Sequence, residues 1–207
     1  MVANMHHLKS SIDRFKKHNN HDSAQAPANG TPDPKPEPAH SLIAVTQQAI
    51  DVFLASKQDN GEIGGLGYWQ TANGYTAIAL HDAWSGTTHN VSVLEGQIAR
   101  VRKHRQGTFV NEFNDDSLWW ANCLLDLHEV NHESDLVVAA NRVWEHVSRS
   151  VVLQSQCIVQ GMDMGGGVMW TTKSGDDQIN AITSGLFAEV SARWLSSQGR
   201  MEDKKTF

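Results

Sequence analysis

From Ser41 onward, apolar positions recur at helical spacing, and Gly-rich breaks divide them into about six segments. Leu42, Ile43, Val45, Ile50, Phe53 and Leu54 predict a first helix, capped by Ser41. It stops near Lys57, where Asp59-Asn60-Gly61 and Gly64-Gly65 break it. A second helix is predicted from Trp69 to Trp84, ended by Ser85-Gly86-Thr87. A third runs from Val91 to His104, with Leu94, Ile98 and Val101 on one face and a basic, solvated face (Arg100, Arg102, Lys103, continuing to Arg105) on the other. The fourth, Asp115 to Val130, turns Trp120, Leu124 and Leu127 inward, with Ala121 and Leu125 beside them. A fifth is predicted from Ser134 to Leu153 and a sixth from Ile179 to Leu195, separated by the loop that holds Met164-Gly165-Gly166-Gly167-Val168-Met169-Trp170. No segment reads as a convincing strand, and no strand, Gly-rich turn and helix follow one another, which excludes Rossmann and P-loop readings. The fold class is therefore all-α, built from antiparallel helical hairpins.

The residues before this pattern differ in kind. All five prolines fall between Pro27 and Pro38. Alternating proline imposes an extended backbone and removes amide donors. Residues 1–40 are thus expected to be a disordered Pro-rich tail, in which a short helix over Ser10–Lys17 has little to pack on. Residues 41–207 form the helical domain. The chain has 207 residues, 40% hydrophobic and 19% charged, enough for one domain with a core. Its net charge of -6 argues against nucleic acid as the main partner, because phosphate binding needs a basic face. No apolar run reaches the ~20 residues that span a bilayer, and the N-terminus as written lacks the apolar core of a signal peptide. Cys123 is expected to pack as a small hydrophobe, and with Cys157 alone beside it settles no redox compartment. Two glycosylation sequons occur, Asn29-Gly30-Thr31 and Asn90-Val91-Ser92.

The chemistry concentrates in Asn111-Glu112-Phe113-Asn114-Asp115-Asp116-Ser117-Leu118-Trp119-Trp120-Ala121-Asn122. Two adjacent carboxylates stand at the mouth of a helix and two tryptophans follow one turn later. Asp at a helix start is ordinarily an N-cap or a dipole partner. A glycosidase needs the same residue types: carboxylates to break an acetal and indole faces to stack on a sugar ring. A formal zinc motif also occurs, His128-Glu129-Val130-Asn131-His132. It lacks the further Gly and His of the longer zinc signature, with Asp135 and Val138 in their places, and it reads as a polar helix terminus. No metal and no cofactor are expected.

The run Asn114-Asp115-Asp116-Ser117-Leu118-Trp119-Trp120-Ala121 resembles the Asp-Asp-x-x-Trp-Trp signature of glycoside hydrolase family 76, the endo-α-1,6-mannanases and related fungal wall proteins. Three more segments resemble that family in the right order: Tyr68-Trp69-Gln70-Thr71-Ala72-Asn73, Gly165-Gly166-Gly167-Val168-Met169-Trp170 and Asn180-Ala181-Ile182. The resemblance implies an (α/α)6 toroid, of which this chain supplies about six of twelve helices, so the domain is expected to be truncated at its C-terminus. It implies retaining hydrolysis of α-1,6-linked mannan or a mannosylated glycan, with transglycosylation in fungal wall metabolism as a variant outcome. Asp115 takes the place of the nucleophile and Asp116 that of the general acid/base. Two close carboxylates repel, which should raise one pKa. Trp119, Trp120 and Trp170 become candidates for sugar stacking, although the inward face shared with Leu124 and Leu127 assigns Trp120 to the core. Gly165, Gly166 and Gly167 would admit backbone close to the ligand or simply form a hairpin loop. Trp69, Gln70 and Asn73 either line the cleft or brace a helix contact. Family kinship implies the secretory route or cell wall. Departures are Ile179 where Lys is expected, Met164 where Cys is common, and a cleft with only Tyr68 and Tyr75. The alternative outside enzymology is an inactive half-toroid that binds glycans or a partner, with exposed apolar helix faces favouring a homodimer.

Overall fold

In a computed structural model, residues 40–203 are described, with side chains from 42 to 196. The expected tail and its short helix lie outside the described residues. The order among the described residues is α1 (His40–Leu54), α2 (Tyr68–Ser85), α3 (Val91–His104), α4 (Asn114–Asn131), α5 (Ser134–Val147), a 3-10 turn (Ser148–Ser150), β1 (Ile158–Val159), β2 (Met162–Asp163) and α6 (Ala181–Asp203). The fold is all-α, with six described helices packed on one another.

The helix α4 is the centre of this packing. It lies against α2, α5 and α6. Leu118, Trp120, Ala121, Leu124 and Leu127 are fully buried. Asn122 and Cys123 are buried as well, so the helix is covered on more sides than its apolar stripe predicts. The polar side is absorbed by α6: Arg193 donates to Asp126 Oδ1 at 2.6 Å and to Asn122 Oδ1 at 3.3 Å. Burial pushes the Asp126 carboxyl above its ordinary range, and the Arg193 guanidinium opposes that shift. Cys123 is a free, buried thiol, pushed up to about 12 by burial, in keeping with a packing role.

Two helix ends show how the loops are set. Gly86 closes α2 in the left-handed conformation at φ 68, its N–H bonded to the Asp82 carbonyl. After it, the buried Asp82 carboxylate accepts the Asn90 backbone N–H and the Asn90 side-chain Nδ2, both at 2.8 Å. Asn90 Nδ2 also reaches Gln47 Oε1 on α1 at 3.0 Å, so one buried network joins α1, the end of α2 and the start of α3.

Four expectations need correction. The first helix starts at His40, so Ser41 lies inside it, and the sixth runs over Ala181–Asp203 because Ile179 instead bridges Met169. The fifth helix ends at Val147, not Leu153, because Val151 and Val152 leave the helix to pair with the triple-glycine segment. Val151 bridges Val168, and the Val152 N–H donates to the Gly167 carbonyl at 2.8 Å. β-branched neighbours suit extended pairing better than a continued helix. A small exposed hairpin, β1–β2, also forms where no strand was expected.

Candidate functional site

The first turn of α4 contains both carboxylates, and neither is its cap. The helix starts at Asn114, its N-cap is Phe113, and Asp115 and Asp116 lie in the first turn. The positive end of the helix dipole there favours negative charge. The turn is aimed by Asn111. Its Oδ1 accepts the Phe113 N–H at 2.9 Å, an Asx turn, and its Nδ2 donates to Asp116 Oδ2 at 2.9 Å. The buried Ser117 hydroxyl accepts the Asn111 backbone N–H at 3.1 Å and donates back to the Phe113 carbonyl at 3.0 Å.

The other wall comes from the chain after the triple glycine. Phe113 bridges Thr171, and the Asn114 N–H donates to the Trp170 carbonyl at 2.8 Å. The buried Asn114 side chain donates through Nδ2 to the Met169 carbonyl at 2.8 Å. This pairing lays the half-buried Trp170 ring on Phe113, with centroids 5.0 Å apart. It also points the indole N–H at Asp115, 3.1 Å from each carboxylate oxygen. Asp115 Oδ1 accepts the Asp116 backbone N–H at 3.0 Å as well.

The two carboxylates therefore have different surroundings. Asp115 is held by Trp170, a residue 55 positions away. Asp116 is held by Asn111, and its carboxyl is raised above the ordinary range. Burial is the main cause and the charge of Asp115 adds to it, while the Asn111 hydrogen bond and Arg105 pull the other way. Arg105 belongs to the basic cluster assigned to solvent, and this residue departs from that expectation. Its guanidinium lies 4.0 Å over the Tyr68 ring and pairs with Glu62 at 3.2 Å. Tyr68 is anchored by its hydroxyl, which donates to the Phe109 carbonyl at 2.9 Å.

The tryptophans divide. Trp120 has no exposed surface and packs among Tyr68, Tyr75 and Phe109, so its candidate role in sugar stacking is withdrawn and its core assignment stands. Trp69, 41% exposed, stacks with the half-buried Trp119 at 6.5 Å and 27°, joining the first turn of α2 to α4. Asn73 is half-buried one turn along α2 from Trp69. Gly166 adopts φ 92 in the turn closed by the Gly167 N–H on the Met164 carbonyl, a conformation that side chains rarely adopt. Gly165 and Gly167 line a cavity of about 380 Å³ with Asp163, Ile179 and Asn180, and its lining includes neither Asp115 nor Asp116. Asn180 Oδ1 accepts the Thr183 N–H at 2.8 Å, which caps the start of α6.

The His-Glu-x-x-His match spans a helix terminus. His132 is the C-cap of α4 at φ 60, and His128 Nδ1 is bonded to the Glu133 carbonyl region at 3.0 Å. Their rings stand edge to face, 6.2 Å apart. Among the described residues, no group of three or more His, Cys, Asp or Glu side chains is placed to hold a metal ion.

Sequence reasoning named Asn111, Phe113 and Arg105 without assigning the roles they take, and missed the anchoring role of Trp170. Only Asn111 leaves a local signal, an Asn two residues before an amide that needs an acceptor.

No protein-family model and no curated protein matches the chain. Among solved structures, it is similar to the crystal structure of the Lin0763 protein from Listeria innocua, with a TM-score of 0.61 and 18% identity. The likeness covers 77% of this chain and 47% of that one, so the chain spans about half the length of that structure. At this identity the likeness concerns the fold alone. No helix among the described residues is long and apolar enough to cross a membrane.

Proposed function

We propose that this chain is a family 76-like glycosidase module that acts on α-1,6-linked mannan by a retaining, two-carboxylate mechanism. The observation that carries the reading is the unequal holding of Asp115 and Asp116 in one helix turn. Retaining hydrolysis needs one carboxylate to attack the anomeric carbon and another to protonate the leaving oxygen, then deprotonate water. Asp115 takes the nucleophilic role, its carboxylate oriented by the Trp170 N–H. Asp116 takes the acid/base role, since burial favours its protonated form. The exposed Trp69, stacked on the half-buried Trp119, supplies an apolar shelf for the C–H face of a pyranose.

The proposal includes an (α/α)6 arrangement. What supports it is the packing order: α4 lies between α2 and α6, while α3 touches α2 and α4, and α5 touches α4 and α6. An inner row of alternate helices with the others outside suits half of such a toroid. The same proposal carries the secretory or wall location and the mannosylated substrate implied by the resemblance.

The test is hydrolysis of a linear α-1,6-mannooligosaccharide by the full chain, with Asp115→Asn and Asp116→Asn alongside. Cleavage that both substitutions abolish, with retained anomeric configuration in the product, supports the proposal. A folded wild type with no cleavage above the variants sinks it. Glycan binding that survives both substitutions would then favour the binding-module alternative.

A further inference from the structure

The Asn111 amide has no freedom to turn over. Its Oδ1 is committed to the Phe113 N–H at 2.9 Å, and a flipped amide would set N–H against N–H there. Ser117 Oγ also lies 3.4 Å from that Oδ1, but its single proton has the Phe113 carbonyl at 3.0 Å as the closer acceptor. Nδ2 is therefore the only Asn111 atom that can face Asp116 Oδ2, 2.9 Å away. A carboxyl oxygen that already accepts an N–H is the poorer place for a proton.

We propose that Asn111 is the positioning residue of the carboxylate pair: it occupies Oδ2 of Asp116 and leaves Oδ1 as the oxygen that takes up and gives back the proton. That Oδ1 delivers this proton to a glycosidic oxygen rests on the function proposed above. The holding of Oδ2 does not. One amide thus performs two tasks, setting the turn that starts α4 through Oδ1 and choosing the working oxygen of Asp116 through Nδ2. Other charged or titratable groups face Asp116 from each neighbouring element: Asp115 on α4 itself, Arg105 after α3 and Tyr68 on α2, with Glu62 paired to Arg105. Of these, Asp115 opposes ionisation of Asp116 and Arg105 favours it. Only Asn111 gives Asp116 a side-chain hydrogen bond among the causes that act on it.

Two variants separate the tasks. Asn111→Ser keeps a short oxygen for the Phe113 N–H but has no donor for Asp116. Asn111→Asp keeps the acceptor and turns the donor into a second negative oxygen. The measurement is the titration of Asp116 by carbon-detected NMR of aspartate-labelled full chain, assigned with Asp116→Asn, with near-ultraviolet circular dichroism to verify packing. The Asp116 midpoint should move to higher pH in Asn111→Ser and further in Asn111→Asp. An unmoved midpoint in well-packed Asn111→Ser overturns the proposal. So does an atomic-resolution crystal structure at a pH below the midpoint in which the longer, protonated C–O bond is at Oδ2. If wild type cleaves mannooligosaccharide, the alkaline limb of its kcat/KM profile should follow the same shifts. If it does not cleave, the proposed function fails while the titration still decides the role of Asn111.

Discussion

Replacing Trp170 with Phe removes one N–H and leaves an aromatic ring to rest on Phe113. A hydrogen bond to a charged acceptor is worth about 1.5–3 kcal/mol. Here one N–H is divided between two oxygens at 3.1 Å, and both partners are half-exposed. Division and solvent screening bring the expected coupling to about 1 kcal/mol. The single variant should lose roughly 1 kcal/mol more, because Phe buries less surface than Trp. Only a double-mutant cycle separates the two losses. Wild type, Trp170→Phe, Asp115→Ala and the double variant would be unfolded in urea and followed by far-ultraviolet circular dichroism. A coupling of about 1 kcal/mol supports the contact. A coupling below about 0.3 kcal/mol, with all four proteins unfolding in two states, would refute it as an energetic link. In a catalytically active chain the same substitution should lower kcat about fivefold and leave KM nearly unchanged, since about 1 kcal/mol of orientation lost at the transition state is roughly a factor of five.

Asp116 makes stability depend on pH in an uncommon direction for a carboxylate. Its folded pKa is raised above the ordinary aspartate value of 3.8, chiefly by burial. The folded state therefore binds the proton more tightly, and ionised Asp116 destabilises the fold at all pH values above the folded pKa. That cost is relieved as pH falls through the folded value and has vanished below 3.8. Asp116→Asn, which keeps an oxygen for Asn111, should raise Tm at pH 7 and lose its advantage near pH 3; an equal gain at both pH values would contradict this sign. A separate prediction concerns the Asn90 sequon. Asn90 is 3% exposed, and its Nδ2 is shared between Asp82 and Gln47. Folded chain made in a glycosylating host should carry no glycan there, and Asn90→Ala should cost about 1–3 kcal/mol by leaving buried polar partners unpaired. Full occupancy of Asn90 in stably folded protein, by intact mass before and after enzymatic deglycosylation, would count against the network.

The helices were legible in the sequence because their signals are local. The range Val91–His104 agrees at both ends, and α2 and α4 differ from expectation by a residue at each end. The inward face of Trp120, Leu124 and Leu127 was equally readable from spacing. The fifth helix misled for a specific reason. Val151, Val152 and Leu153 continue its apolar pattern, but Val151 bridges Val168 and Val152 pairs with Gly167, which periodicity cannot reveal. The site was half legible for the same reason. Asp115, Asp116, Trp119 and Trp170 stand out by residue type. The aim of the Trp170 N–H, and the reach of Arg105 over Tyr68, arise only when distant segments meet.

That dependence on distant segments has a consequence for how the pair could be tuned. Asp115 and Asp116 share a helix turn and its dipole, so neither of these sets them apart. Their difference comes from what approaches each side. The returning segment 169–171 brings an N–H to Asp115, while the Asx turn at Asn111 brings one to Asp116. The returning segment is fastened by the Asn114 N–H, the Asn114 amide and the bridge from Phe113 to Thr171, all at the start of α4. Loosening the triple-glycine loop should therefore disturb Asp115 before Asp116. Substitution in the Asn111 turn should do the reverse. A pair built this way gives adjacent, chemically identical residues different surroundings without any difference in their own side chains.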